Sequence, residues 1–135
     1  MLFVFARVGL CGSAEIPASI QVWPDTVDQF QHRGLDFKRS LRHALRDGDS
    51  GVRDFIADSR FTDAAGGLGF GVTLLDLAQH IGDDRFSRIA ASLESKEKAK
   101  VWLLLRAGAE YRRQLISEAE VARRLPKTCE ILTKT

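Results

Sequence analysis

The chain has 135 residues, 44% of them apolar and 28% charged, with a formal net charge of +2. That length suits one ordinary domain able to bury a real core, and the composition excludes both a disordered chain and a disulfide scaffold. The charge is mild: residues 1–93 carry 10 basic and 12 acidic side chains and residues 94–135 carry 10 and 6, which is less than a dedicated nucleic-acid binder displays.

In chain order, the aromatic and β-branched residues 2–8 and the alternating Ser19-Ile20-Gln21-Val22-Trp23 read as two short strands, a hairpin broken by Gly9, Gly12 and Pro17. The Leu2-Phe3-Val4-Phe5 run is interrupted by Arg7 and has no basic residue before it, so a cleaved signal is not expected. Pro24 ends the second strand, and Asp25 caps a helix carrying Val27 and Phe30 up to Gly34. From Asp36 the period becomes helical. Phe37, Leu41, Ala44 and Leu45 share a face, Gly48 stops the helix, and Val52, Phe55 and Ile56 form the stripe of the next.

Residues 62–71 read as a glycine-rich loop, after which Thr73 opens a helix through His80. Gly82 breaks that helix, and Phe86, Ile89, Ala90 and Leu93 line another. Ser95 or a neighbour begins a helix with Ala99, Val101, Trp102, Leu104 and Leu105. Ser117 and Glu120 form a capping box for a last helix that Pro126 stops. The expected fold class is mainly α, a compact bundle or short stack of antiparallel helix pairs with a small N-terminal hairpin. It is one domain over 1–135: a strand and turn segment at 1–34, two helix pairs at 36–93 and C-terminal helices at 95–126.

A shift of 34 residues superposes Leu41 on Leu75, Ala44 on Ala78, Gly48 on Gly82, Asp49 on Asp83, Val52 on Phe86 and Phe55 on Ile89. Gly71-Val72-Thr73-Leu74-Leu75-Asp76-Leu77-Ala78 resembles the G-x-T-P-L-H-x-A opening of an ankyrin repeat. Leu103-Leu104-Leu105-Arg106-Ala107-Gly108-Ala109 resembles its L-L-x-x-G-A ending. Leu74 and Asp76 replace the family's proline and histidine, and about a dozen extra residues precede Gly108, so the resemblance over about residues 36–110 is to a degenerate repeat. A HEAT-like helical pair is the alternative.

The residues carry no pattern for catalysis, cofactor binding or metal binding. His32, His43 and His80 lie apart from one another, and Cys11 and Cys129 are nearly a full chain apart, which fits a reducing, cytoplasmic setting. The run Gly66 to Gly71 lacks the lysine and the glycine spacing of a phosphate loop. Asp47, Asp49, Asp83 and Asp84 sit where helix-capping carboxylates belong. No apolar stretch reaches a membrane-spanning length.

A helical chain without a visible site is read as a protein-binding module. By analogy it resembles the bacterial immunity proteins that neutralise a cognate toxin or secreted effector, some of them built of ankyrin-like repeats. The expected contact residues are Gly69 and Phe70 at the loop tip, with Asp58, Asp63, Asp83 and Asp84 as an acidic rim for a basic partner. Trp23, beside Pro24, is a second candidate anchor. The alternative is a nucleic-acid-binding or regulatory role for the basic C-terminal helices, where residues 116–125 look like the first helix of a helix-turn-helix.

Overall fold

The computed structural model describes residues 15–112 and 115–134. Within them are eight α-helices: α1 (Pro24–His32), α2 (Phe37–Arg46), α3 (Gly48–Ala57), α4 (Ala64–Ile81), α5 (Asp83–Ala91), α6 (Ser95–Tyr111), α7 (Glu118–Arg124) and α8 (Pro126–Thr133). A 3₁₀ turn at Asp58–Phe61 joins α3 to α4. There is no strand among the described residues, and no described helix is long and apolar enough to cross a membrane. The strand expected at residues 2–8, and with it Cys11, lies outside the described residues.

The central element is α4. Its most extensive packing is on α6, while α1 covers another side; α2 packs on α3 and α5 on α8. The stretch read as a loop over residues 62–71 is therefore corrected: all but its first two residues form the N-terminal half of an 18-residue helix. Gly66, Gly67, Gly69 and Gly71 together disfavour helix by about 3–4 kcal/mol relative to alanine, which is why local reading stops there. Tertiary contact reverses the preference. A Cβ on Gly71 would stand 2.3 Å from the Leu104 carbonyl oxygen, and one on Gly108 2.2 Å from the Gly71 carbonyl oxygen, so α4 and α6 cross backbone against backbone. At Gly69 a Cβ would meet the Thr26 hydroxyl of α1 at 2.2 Å.

Phe70 is fully buried. Its ring stacks on Phe55 at 4.7 Å and approaches Phe37 at 5.9 Å and Phe30 at 6.4 Å, joining α1, α2 and α3 to α4. The expected strand at residues 19–23 is absent for a related reason. The Gln21 N–H donates to Asp76 at 2.9 Å and its carbonyl accepts from the Thr73 hydroxyl at 2.6 Å, so α4 side chains supply what a second strand would have supplied. Thr73 accordingly lies inside α4 and does not open it.

Elsewhere most periodic signals and the structure agree, except that Asp25, expected to cap α1, lies inside its first turn; Trp23 is the N-cap residue and no side chain caps that end, because Pro24 already occupies the first helical position. Asp36 caps α2, accepting from the Arg39 N–H at 3.1 Å, and Leu41, Ala44, Val52, Phe55, Phe86 and Ile89 are buried. Ser117 caps α7 by accepting from the Glu120 N–H at 3.1 Å, but the reciprocal box belongs to Glu94 and Glu97 at the start of α6. Pro126 ends α7 and also occupies the first turn of α8, a helix not anticipated at the C-terminus.

Gly71→Ala and Gly108→Ala are each expected to lower the unfolding free energy by about 1–3 kcal/mol, because the added methyl meets backbone that cannot yield. Gly67→Ala, whose Cβ would meet nothing closer than the Thr62 hydroxyl at 3.7 Å, should instead raise it by about 0.5–1 kcal/mol. Urea denaturation of the three variants separates these signs. In the same assay Phe70→Ala should cost about 3–5 kcal/mol, whereas a loop-tip residue would cost almost nothing.

Candidate protein-docking surface

The apolar residues left uncovered among the described ones gather around the C-terminal half of α6. Leu103 is 64% exposed, Tyr111 47% and Leu115 79%. The helix explains the pattern. Val101, Leu104, Leu105, Gly108 and Ala109 turn inward, while Leu103, Ala107 and Tyr111, spaced at four residues, follow the outer side. With Leu68 of α4 and Leu115 they line a groove of about 470 Å³. Its polar border is Arg106, Glu110 and Glu118; Arg106 Nε lies 3.4 Å from Glu118, and among the described residues Glu110 has no ion-pair partner. Tyr111 also lines a second trough of about 690 Å³ with Trp23 and Pro24.

The contact residues expected from sequence are not brought together. Gly69 and Phe70 are inside the protein, buried against α1 and the aromatic cluster. Asp63 precedes the start of α4 and Asp83 follows its end, so a helix about 27 Å long separates them. Asp58 accepts from the Ser40 hydroxyl at 2.5 Å, and Asp63 accepts a side-chain hydrogen bond from Gln29. Asp83 accepts from the Lys127 and Thr128 N–H groups, each at 2.9 Å, and so caps α8 from another helix. Asp84 pairs with the Lys127 ammonium at 2.5 Å, which holds its carboxyl below the usual range. These two carboxylates fasten α5 to α8.

Several of the basic C-terminal side chains are similarly occupied, although Lys96, Lys98 and Lys100 have no ion pair among the described residues. Arg123 and Arg124 both bond Glu120, lowering its carboxyl to about 2. Lys134 pairs with Glu130. The second helix that a helix-turn-helix requires does exist as α8, but Thr128, Cys129 and Leu132 bury its inner face against the domain. Burial also pushes the Cys129 thiol up to about 11, away from reactive thiolate.

Two polar centres lie apart from the groove. Asp76 is 4% exposed; burial raises its carboxyl, against the lowering effect of the Gln21 N–H and of Arg112, whose Nη1 lies 3.4 Å away. With Ser19, Gln79, His80 and Arg112 it lines a cleft of about 280 Å³. His43 places Nε2 2.9 Å from Asp54 and Nδ1 beside Asp47. With a carboxylate on each ring nitrogen the imidazolium is favoured. Among the described residues no group of three or more His, Cys, Asp or Glu side chains is arranged to hold a metal ion.

No protein-family model, curated protein or solved structure matches the chain.

His43 should titrate above its ordinary value of 6.5, through its bonds to Asp54 and Asp47. The stability these bonds contribute is complete below the unfolded value and is lost as the pH rises through the raised folded one. It should stay under about 1 kcal/mol because the ring is partly exposed. An NMR titration of wild type and Asp54→Asn is expected to show a lower His43 midpoint in the variant.

Proposed function

We propose that the chain is a protein-binding module of the immunity type, neutralising a cognate toxin or secreted effector by occupying its surface. The supporting observation is the cluster of Leu103, Tyr111 and Leu115, exposed together on α6 and close beyond its end. An isolated exposed leucine needs no explanation, whereas contiguous apolar side chains rimmed by charge are the anatomy of a docking site. The occupant is an apolar helix of the partner with a basic residue beside it, because Glu110 is the border charge left without an ion pair among the described residues. A basic partner was also the expectation from sequence; its contact surface now moves from residues 66–71 to α6. The action is by binding alone, without catalysis or cofactor, in a cytoplasmic setting.

The segments α2–Gly48–α3 and α4–Gly82–α5 are read as two degenerate ankyrin-like units. Gly48 and Gly82, 34 residues apart, both have positive φ, at 70° and 96°, and the superposed Leu41 and Leu75, Ala44 and Ala78, Val52 and Phe86, and Phe55 and Ile89 are all buried. The second unit departs from the first in its packing, since α4 lies mainly on α6 and α5 mainly on α8.

Co-expression with the product of the neighbouring gene, followed by pull-down, tests the function. Wild type should capture that product, and Leu103→Ser with Leu115→Ser should weaken capture at least about tenfold while leaving thermal unfolding unchanged. Equal capture by both proteins places the interface elsewhere, and no capture by either ends the immunity reading.

A further inference from the structure

We propose that the α6 ridge is self-complementary and that a second copy of the chain occupies it, across a two-fold axis, when no cognate partner is bound. The inference rests on reading the ridge as a protein-docking surface and adds its resting occupant. Along the ridge Leu103, Ala107 and Tyr111 form a stripe with the smallest residue in the middle. Two α6 helices laid antiparallel about an axis at Ala107 bring the two alanines together, which lets the backbones approach. Leu103 of each copy then packs on the aromatic ring of the other's Tyr111.

The charges agree with this arrangement. Arg106 and Glu110 lie one turn apart, and both border the groove. Antiparallel pairing reverses their order, so each Arg106 reaches the other copy's Glu110, and the contact is made twice. A site that only one kind of charge bordered would repel its own copy. Arg106 is already 3.4 Å from Glu118, but both side chains are more than half exposed, so sharing or exchanging that contact costs little.

The stripe supplies fewer residues than the ~800 Å² per partner of a standard interface, so association is weak and readily displaced by a better-fitting partner. The dissociation constant is expected in the micromolar range, on the order of 10–100 µM. The ridge thereby stays covered in the free protein, which reduces its exposure to unrelated apolar surfaces.

Sedimentation velocity of the full chain over about 1–500 µM tests the proposal. The expected result is a monomer–dimer equilibrium that Leu103→Asp abolishes. Arg106→Glu and Glu110→Arg should each weaken it at least about tenfold, and the double exchange should restore most of the loss. Circular dichroism confirms that each variant is folded. A monomer at every concentration, a dimer indifferent to Leu103, or a double exchange without recovery overturns the inference. So does a monomer in which removal of residues 1–14 newly exposes Tyr111, because the ridge would then be covered by its own chain. The neighbouring gene product is assayed separately with wild type. Capture without self-association defeats this inference alone, and self-association without capture defeats only the immunity reading.

Discussion

Where α4 crosses α6, the carbonyl oxygen of Gly71 occupies the space that a Cβ on Gly108 would need. Neither helix can move closer, and neither can carry a larger residue there. That contact fixes the distance between the two longest helices, and most other packing follows from it. With Gly71 turned to α6, Gly69 meets Thr26 and Trp23 of the α1 region. Phe70, between them, enters the aromatic cluster shared by α1, α2 and α3. Three consecutive residues thus serve three different neighbours.

The same crossing decides which part of α6 remains outside. Its inward residues, Leu104, Leu105 and Gly108, are consumed by α4 and the core, which leaves Leu103 and Tyr111 exposed, with no helix among the described residues to cover them. The apolar ridge is a by-product of helix geometry as much as a feature of composition. Several acidic and basic residues, by contrast, are spent on internal fastening: Asp83 on α8, Asp84 on Lys127, Asp49 on Arg85 at 2.8 Å, and Glu120 on two arginines. What the described surface leaves over is apolar area at Leu103, Tyr111 and Leu115 more than a field of one sign.

Two further polar groups also join elements of the fold. Asp76 is the most deeply buried carboxylate among the described residues, and its hydrogen bonds hold the extended segment at Gln21 onto α4. His43 bridges Asp47 of its own helix end to Asp54 of α3. Each polar centre joins segments that are distant or adjacent in sequence.

How much was legible depended on whether a residue's role was local. The amphipathic stripes of α2, α3 and α5, the change of period at Asp36, the Ser117 cap and the breaks at Gly48 and Gly82 were readable because a helix period, a capping oxygen and a positive φ are properties of a few neighbouring residues. Residues 64–71 were not, because four glycines argue against helix in isolation and only the approach of α1 and α6 makes their missing side chains an advantage. The strand at residues 19–23 failed likewise: its alternation was real, with Ile20 buried, but its backbone partners are side chains of a helix 52 and 55 residues away. Nothing local marks Leu103 and Leu115 as exposed, since an uncovered leucine is visible only once the neighbours that might have covered it are in place. The sequence by itself determined that the chain would be helical and where most helices would turn. Tertiary structure alone decided which glycines pack, which aspartates are spent and which leucines are left uncovered, because those outcomes depend on what stands opposite each residue.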